Sequence, residues 1–213
     1  KMVVPTLGSL VGGICSGISV PASGLLGPRS VRKGDGRRRW AMAENCIPGP
    51  LPATTTLLYA YLAAHYRVRI GDGRWLALVV GQPAPARLAR AFPTGSMPLL
   101  TLITASNPQS QVQPAAANRA ADAALRADLD ALGQPVLRAT ATDADGDWKE
   151  PGWLVAGLDT ATCDALARRY GQAGLLHWHA GEPVRLRMYR MRPATGHAHP
   201  GARWVDWTEG AAP

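Results

Sequence analysis

The chain has 213 residues, enough for one domain with a core of its own, but much of its 46% hydrophobic content is Ala, and one Phe stands beside 23 Gly and 18 Pro. The net charge of +8 is uneven: residues 1–41 hold seven Lys or Arg against one Asp, whereas 42–213 hold sixteen against fourteen acidic residues, so the domain itself does not support a nucleic-acid partner. Three Cys at 15, 46 and 163, far apart and without C-x-x-C spacing, argue against a disulfide framework or zinc site, and no apolar run of about 18 residues indicates a membrane span, so a cytoplasmic location is expected.

Residues 1–41 run from small apolar, Gly- and Ser-rich sequence to a basic cluster, Arg29 to Arg39, and fit neither a secretory nor a twin-arginine signal. They read as a disordered basic extension, non-native if the true start is Met42. A Pro-rich piece, Ile47 to Pro52, then leads to a helix capped by Thr54 or Thr55, with Leu57, Leu58, Tyr61 and Leu62 at three- and four-residue spacing. Tyr66 to Ile70 alternates as a half-buried strand, Gly71 to Gly73 turns, and Trp75 to Val80 completes a hairpin.

Gly81 to Ala91 predicts a short helix, broken over Gly95 to Pro98. Leu99 to Thr104 is a continuous apolar run, expected to be a strand buried on both faces and ending in a turn at Ala105 to Pro108. Pro114 to Leu132 predicts a helix with Ala117, Ala121, Ala124, Leu125, Leu129 and Leu132 inward and Arg119, Asp122, Arg126 and Asp130 outward, stopped by Gly133. Strands follow at Pro135 to Ala139 and Trp153 to Ala156, flanking an acidic stretch. Asp159 or Thr160 caps a helix carrying Cys163, Leu166, Ala167 and Tyr170 inward. Leu175 to Trp178 and Val184 to Tyr189 form a second hairpin. Beyond Met191 the periodicity ends, and 193–213 reads as a flexible tail on which Trp204 and Trp207 can dock back.

The acidic stretch, Asp143, Asp145, Asp147 and Glu150, needs its mutual repulsion relieved by water, a cation or basic partners. Its spacing departs from a calcium loop, with Gly146 at the fourth place and Glu150 at the eighth. A solvated turn with Asp side chains capping backbone N–H groups and Gly146 at positive φ is the plainer reading, beside a ligand-contacting loop or a metal site. A second polar set, Thr104, Asn107, Ser110 and Asn118, follows the buried strand, where α/β sheets bind ligands, although turn and helix caps account for Asn107 and Ser110 as well. Gln172 sits just past a helix and faces either solvent or the same cleft. His177 and His179 share a strand face, which permits a metal only with a third ligand and otherwise reads as a solvent-facing edge. His197 and His199 lie in the tail. Cys163, on an inward helix face, does not read as a nucleophile, and no motif supplies another.

Taken in order, Ile103-Thr104-Ala105-Ser106-Asn107-Pro108, Asn118, Asp143 to Glu150, Leu154 to Leu158 and Arg169-Tyr170-Gly171-Gln172-Ala173 resemble the bacterial domain-of-unknown-function family numbered 3293, over roughly Tyr66 to Arg190. The family carries no assigned activity. The resemblance implies candidate site positions at Asn107, Ser110, Asn118, Asp147, Glu150 and Gln172. The chain departs from the family pattern at Ser106, where an aromatic is usual, and at Gly152 and Trp153 after the Glu-Pro pair.

These readings combine into a single α/β (α+β) domain over 42–192, a mixed β-sheet of about five to seven strands covered by three or four helices. The expected function is binding of a small polar or nucleotide-like ligand in a cleft lined by the Asn107 loop, the stretch Asp147, Trp148 and Glu150, and Gln172, with Thr104, Ser110 and Asn118 beside it. One alternative is a Mg²⁺-dependent hydrolase or nuclease-like enzyme using Asp145, Asp147 and Glu150; no other cofactor is indicated. The other is a protein-interaction domain presenting Trp178, Trp204 and Trp207.

Overall fold

Side chains alternate between the two faces of a strand, and in this chain that alternation builds one eight-stranded sheet with a separate apolar core on each face. The computed structural model describes residues 53–92, 99–193 and 199–208. The basic leader, Met42, the Pro-rich piece, the break at Gly95 to Pro98 and His197 lie outside the described residues. In chain order the elements are α1 (Thr54–Ala63), β1 (His65–Arg69), β2 (Trp75–Leu78), α2 (Ala86–Ala89), β3 (Leu99–Thr104), α3 (Ala115–Ala131), β4 (Val136–Thr142), β5 (Lys149–Ala156), α4 (Thr160–Arg169), β6 (Gly174–His179), β7 (Leu186–Met188) and β8 (Val205–Trp207).

The strands lie in the order β2-β1-β4-β5-β3-β6-β7-β8, antiparallel throughout except for the parallel pair β7–β8. The apolar run Leu99–Thr104 is an interior strand, and every residue after Leu99 is buried, as expected for a strand covered on both sides. Its even-numbered residues Leu100 and Leu102 join the first core with Val68, Leu154, Leu176 and Leu186, beneath Leu57 and Leu58 of α1 and Leu88 of α2. Its odd-numbered Ile103 joins the second core with Val155 and Leu175, beneath Leu125 and Leu129 of α3 and Cys163, Leu166 and Ala167 of α4.

Several expectations are corrected. The sheet has eight strands, more than the five to seven expected, because the segment read as a tail contributes β8, with Val205 opposite Leu186 and Trp207 opposite Met188. A three-residue strand leaves no periodic signature. Strands β4 and β5 are longer than the sequence suggested and pair from Val136–Val155 to Thr142–Lys149. The acidic stretch is therefore the tip of a hairpin, and Glu150 stands on a strand. Helix α1 starts from Ala53 with no side-chain cap, so neither Thr caps it. On α3, Ala117, Ala124 and Leu132 are exposed, whereas Asp122 and Arg126 turn partly inward toward β4 and β5.

His177 is also corrected: β6 is an interior strand, and His177 is buried between Thr101 Oγ1 at 2.9 Å and Thr160 Oγ1 at 3.2 Å. The Asp159 cap of α4 stands as expected, its carboxylate accepting from Thr162 N–H at 2.7 Å.

Candidate ligand pocket

Strand β3 delivers Thr104 to the face beneath α1, and Pro108 then forces the chain to turn. Asn107, Gln109 and Ser110 all adopt positive φ, at 49°, 57° and 59°. Side chains rarely hold that region without support. Support comes from Asn118 near the start of α3. Its Oδ1 accepts from Asn107 N–H at 2.9 Å and its Nδ2 donates to Asn107 Oδ1 at 2.8 Å, while Gln113 N–H donates to that same Oδ1 at 3.0 Å. On the far side, Gln109 N–H donates to the Gly171 carbonyl at 2.7 Å. The loop is thus clasped at both ends, which leaves Asn107 Nδ2 free to point at Glu150.

Glu150 gathers the pieces. Its Oε1 accepts from Asn107 Nδ2 at 3.0 Å and Trp148 Nε1 at 2.9 Å, and its Oε2 lies 3.1 Å from Thr104 Oγ1. Thr104 Oγ1 also lies 2.9 Å from Gln172 Oε1. The Gln172 amide is oriented by its own Nε2, which donates to the Ser106 and Tyr170 carbonyls, so Oε1 is an acceptor. Thr104 has one hydroxyl proton for two acceptors. With that proton given to Gln172, the contact to Glu150 is a hydrogen bond only when Glu150 is the protonated partner. Burial acts in the same direction, raising the Glu150 pKa above its ordinary value against the lowering effect of its Asn107, Trp148 and Thr104 donors.

Beside this cluster, under α1, is a pocket of about 60 Å³. Its polar lining is Thr104, Ser110, Asp143, Glu150 and Gln172, and Tyr61, Tyr66 and Trp148 form aromatic walls. Tyr61 is hydrogen-bonded to Ser110, and Tyr66 donates its hydroxyl to the Tyr61 carbonyl at 2.9 Å. Burial raises both phenols well above their ordinary pKa, so they are neutral donors at neutral pH. Gly174 permits Tyr61 to come this close: a Cβ there would fall 2.8 Å from Met188 Sδ and 3.1 Å from Tyr61 Cε1. Asp143 is 5% exposed. One of its oxygens accepts from Trp148 N–H at 3.1 Å, and the other is buried without a hydrogen-bond partner among the described residues.

Residues 103–175, about a third of the chain, match a protein family of unknown function, DUF3293. The match agrees, within that segment, with the resemblance read from the motifs. It begins at Ile103 and ends at Leu175, a shorter span than the motifs suggested, and no curated protein or solved structure matches the chain significantly.

The matched segment contains every candidate ligand-binding residue named from the sequence, from Thr104 to Gln172. The structure brings Thr104, Asn107, Trp148, Glu150 and Gln172 into one hydrogen-bonded cluster, with Ser110 on the pocket wall and Asn118 behind the loop. Asp147 stays apart. It and Asp145 are exposed at the hairpin tip, where Gly146 takes φ 83°. Among the described residues no three His, Cys, Asp or Glu are placed to hold a metal ion. The acidic triad proposed for Mg²⁺ is therefore not assembled. Ser106, where the family pattern has an aromatic, is buried with an unpartnered hydroxyl and does not line the pocket.

Sequence reasoning missed Asp143 as a lining residue, and missed Tyr61 and Tyr66, which lie outside the family match. Only the parity of the β4–β5 hairpin could have found Asp143, since it falls two residues beyond Ala141, the partner of Glu150. The three Trp residues proposed as an exposed patch do not form one: Trp178 is buried, Trp207 packs against the first core, and Trp204 lies against Gly81. Among the described residues no helix is long and apolar enough to cross a membrane.

Proposed function

We propose that the chain binds a small polar molecule, or the polar head of a larger one, in the pocket beneath α1. The observation that carries this reading is the convergence of three sequence-distant polar segments, the Thr104 to Ser110 loop, Trp148 with Glu150, and Gln172, on one pocket. Two features support ligand binding over a purely structural role. The loop holds three non-glycine residues at positive φ, a cost of order 1–3 kcal/mol each that is found most often at functional sites. The lining also combines apolar walls with a few directed polar groups, the usual make-up of a ligand site. About 60 Å³ admits only a few non-hydrogen atoms, well below the roughly 150 Å³ of a benzene-sized cavity.

A thermal-shift screen of small polar compounds on the full chain tests the reading, with Ala60→Phe as the control. Ala60 lines the pocket from α1 and takes no part in the hydrogen-bonded cluster. A compound that raises the Tm of the wild type and not of Ala60→Phe supports the pocket. Equal stabilisation of both proteins would place binding elsewhere and sink it.

A further inference from the structure

Resting on the pocket reading above, we infer that the group this pocket takes is a small organic cation, an ammonium with a short apolar stem. The chain carries 23 Lys or Arg against 15 Asp or Glu, yet the pocket inverts that balance: among the described residues its lining includes Asp143 and Glu150 and no Lys, Arg or His. The two carboxyl groups share one face of the β4–β5 hairpin. Glu150 pairs with Ala141, and Asp143 lies two residues beyond, a diagonal position about 7–8 Å away between Cα atoms. One group with several N–H donors reaches between side chains so placed.

Asp143 has acceptor capacity to spare, and Glu150 gains it on losing its proton. Asp143 is 5% exposed and lines the pocket, and one of its oxygens is buried without a partner among the described residues. Glu150 Oε2, protonated toward Thr104 in the free pocket, becomes a second acceptor when a bound cation favours the carboxylate and the proton leaves to solvent. A buried acceptor left unfilled is costly, and an N–H donor carrying positive charge is the strongest partner for it. The rest of the lining suits the remainder of such a ligand. Trp148, Tyr61 and Tyr66 bring aromatic rings, which attract cations, to the lining, and Leu57, Ala60 and Leu102 suit an alkyl stem. Arg190 is the cation whose charge bears on Tyr61, but it does not line the pocket, so the described residues place no positive group in its lining.

Isothermal titration calorimetry on the full chain with three probes of one size, propylammonium, 1-propanol and propionate at matched ionic strength, tests the class. Propylammonium binds, and the alcohol and the carboxylate bind at least tenfold more weakly or not at all. Asp143→Asn weakens propylammonium binding at least tenfold, with circular dichroism reporting whether the variant is folded. The wild-type comparison of the three probes needs no variant, so a folding failure in Asp143→Asn leaves the test intact. If 1-propanol binds as well as propylammonium, or propionate binds best, the cation assignment is overturned while the pocket stands. If no probe binds, the cation assignment is overturned, and the thermal-shift comparison with Ala60→Phe decides the pocket reading separately.

Discussion

Glu150 behaves as a buried acid whose neutral form fits its surroundings better than its charged form. Its folded pKa is raised by burial, so its contribution to stability is full below the unfolded value of about 4.5 and is lost as pH rises through the folded value. Glu150→Gln keeps an oxygen for Asn107 and Trp148 and supplies an N–H for Thr104 without the ionisation. Its Tm relative to wild type therefore rises as pH is increased from 4 to 8; a constant difference across that range would contradict the protonation argument. Glu150→Ala instead leaves Asn107, Trp148 and Thr104 without their acceptor and costs about 1–3 kcal/mol by denaturant unfolding. Cys163 makes a second prediction at this scale. Its thiol is buried and pushed up to about 11 by that burial, so native protein at pH 7 shows no alkylation at Cys163 by peptide mapping, while unfolded protein does.

Hairpin β4–β5 carries the site on one face and its anchor on the other. On the anchor side Trp153 is clasped by Arg138 and Arg126, whose guanidinium carbons lie 4.4 and 4.8 Å from the ring centroid, and Arg138 is held by Asp122 of α3 at 2.9 Å. Arg138→Met is expected to destabilise the chain by about 1 kcal/mol, read as a lower denaturation midpoint. On the site side, strand β6 must stay bare at Gly174 for Tyr61 to seat. Gly174→Ala is expected to cost about 1–3 kcal/mol through overpacking against Tyr61 and Met188 and to weaken any pocket ligand with it. A Gly174→Ala protein that kept wild-type stability and binding would show that Tyr61 does not wall the pocket.

Across the whole molecule, the parts legible in the sequence are those set by local periodicity. The alternation in Tyr66 to Ile70, the apolar run at Leu99–Thr104 and the capped helix after Asp159 all signal their structure within a few residues. The start of β5 was hidden because Pro151 and Gly152 weaken a strand signal, and yet Thr140 pairs with Pro151 and Ala139 with Gly152 in the ladder. That shift of the strand start is why Asp147 looked like the partner of Glu150 and Asp143 did not. Gly152 is required where it stands, since a Cβ would fall 2.6 Å from the Ile103 carbonyl oxygen of β3. The pocket roof was not legible at all. It depends on α1 crossing the sheet over Gly174, a tertiary contact with no local mark, whereas the polar cluster below it was announced residue by residue from Thr104 to Gln172.

The location of binding is most directly read from the indole N–H signals of ¹⁵N-labelled protein. The Trp148 indole donates to Glu150 inside the pocket, and the Trp153 indole lies on the opposite face of the sheet. Titration with a compound that raises the Tm is predicted to shift the Trp148 indole signal saturably and leave that of Trp153 in place. A saturable shift of Trp153 with Trp148 unmoved would contradict the account, because binding would then belong to the α3–α4 face.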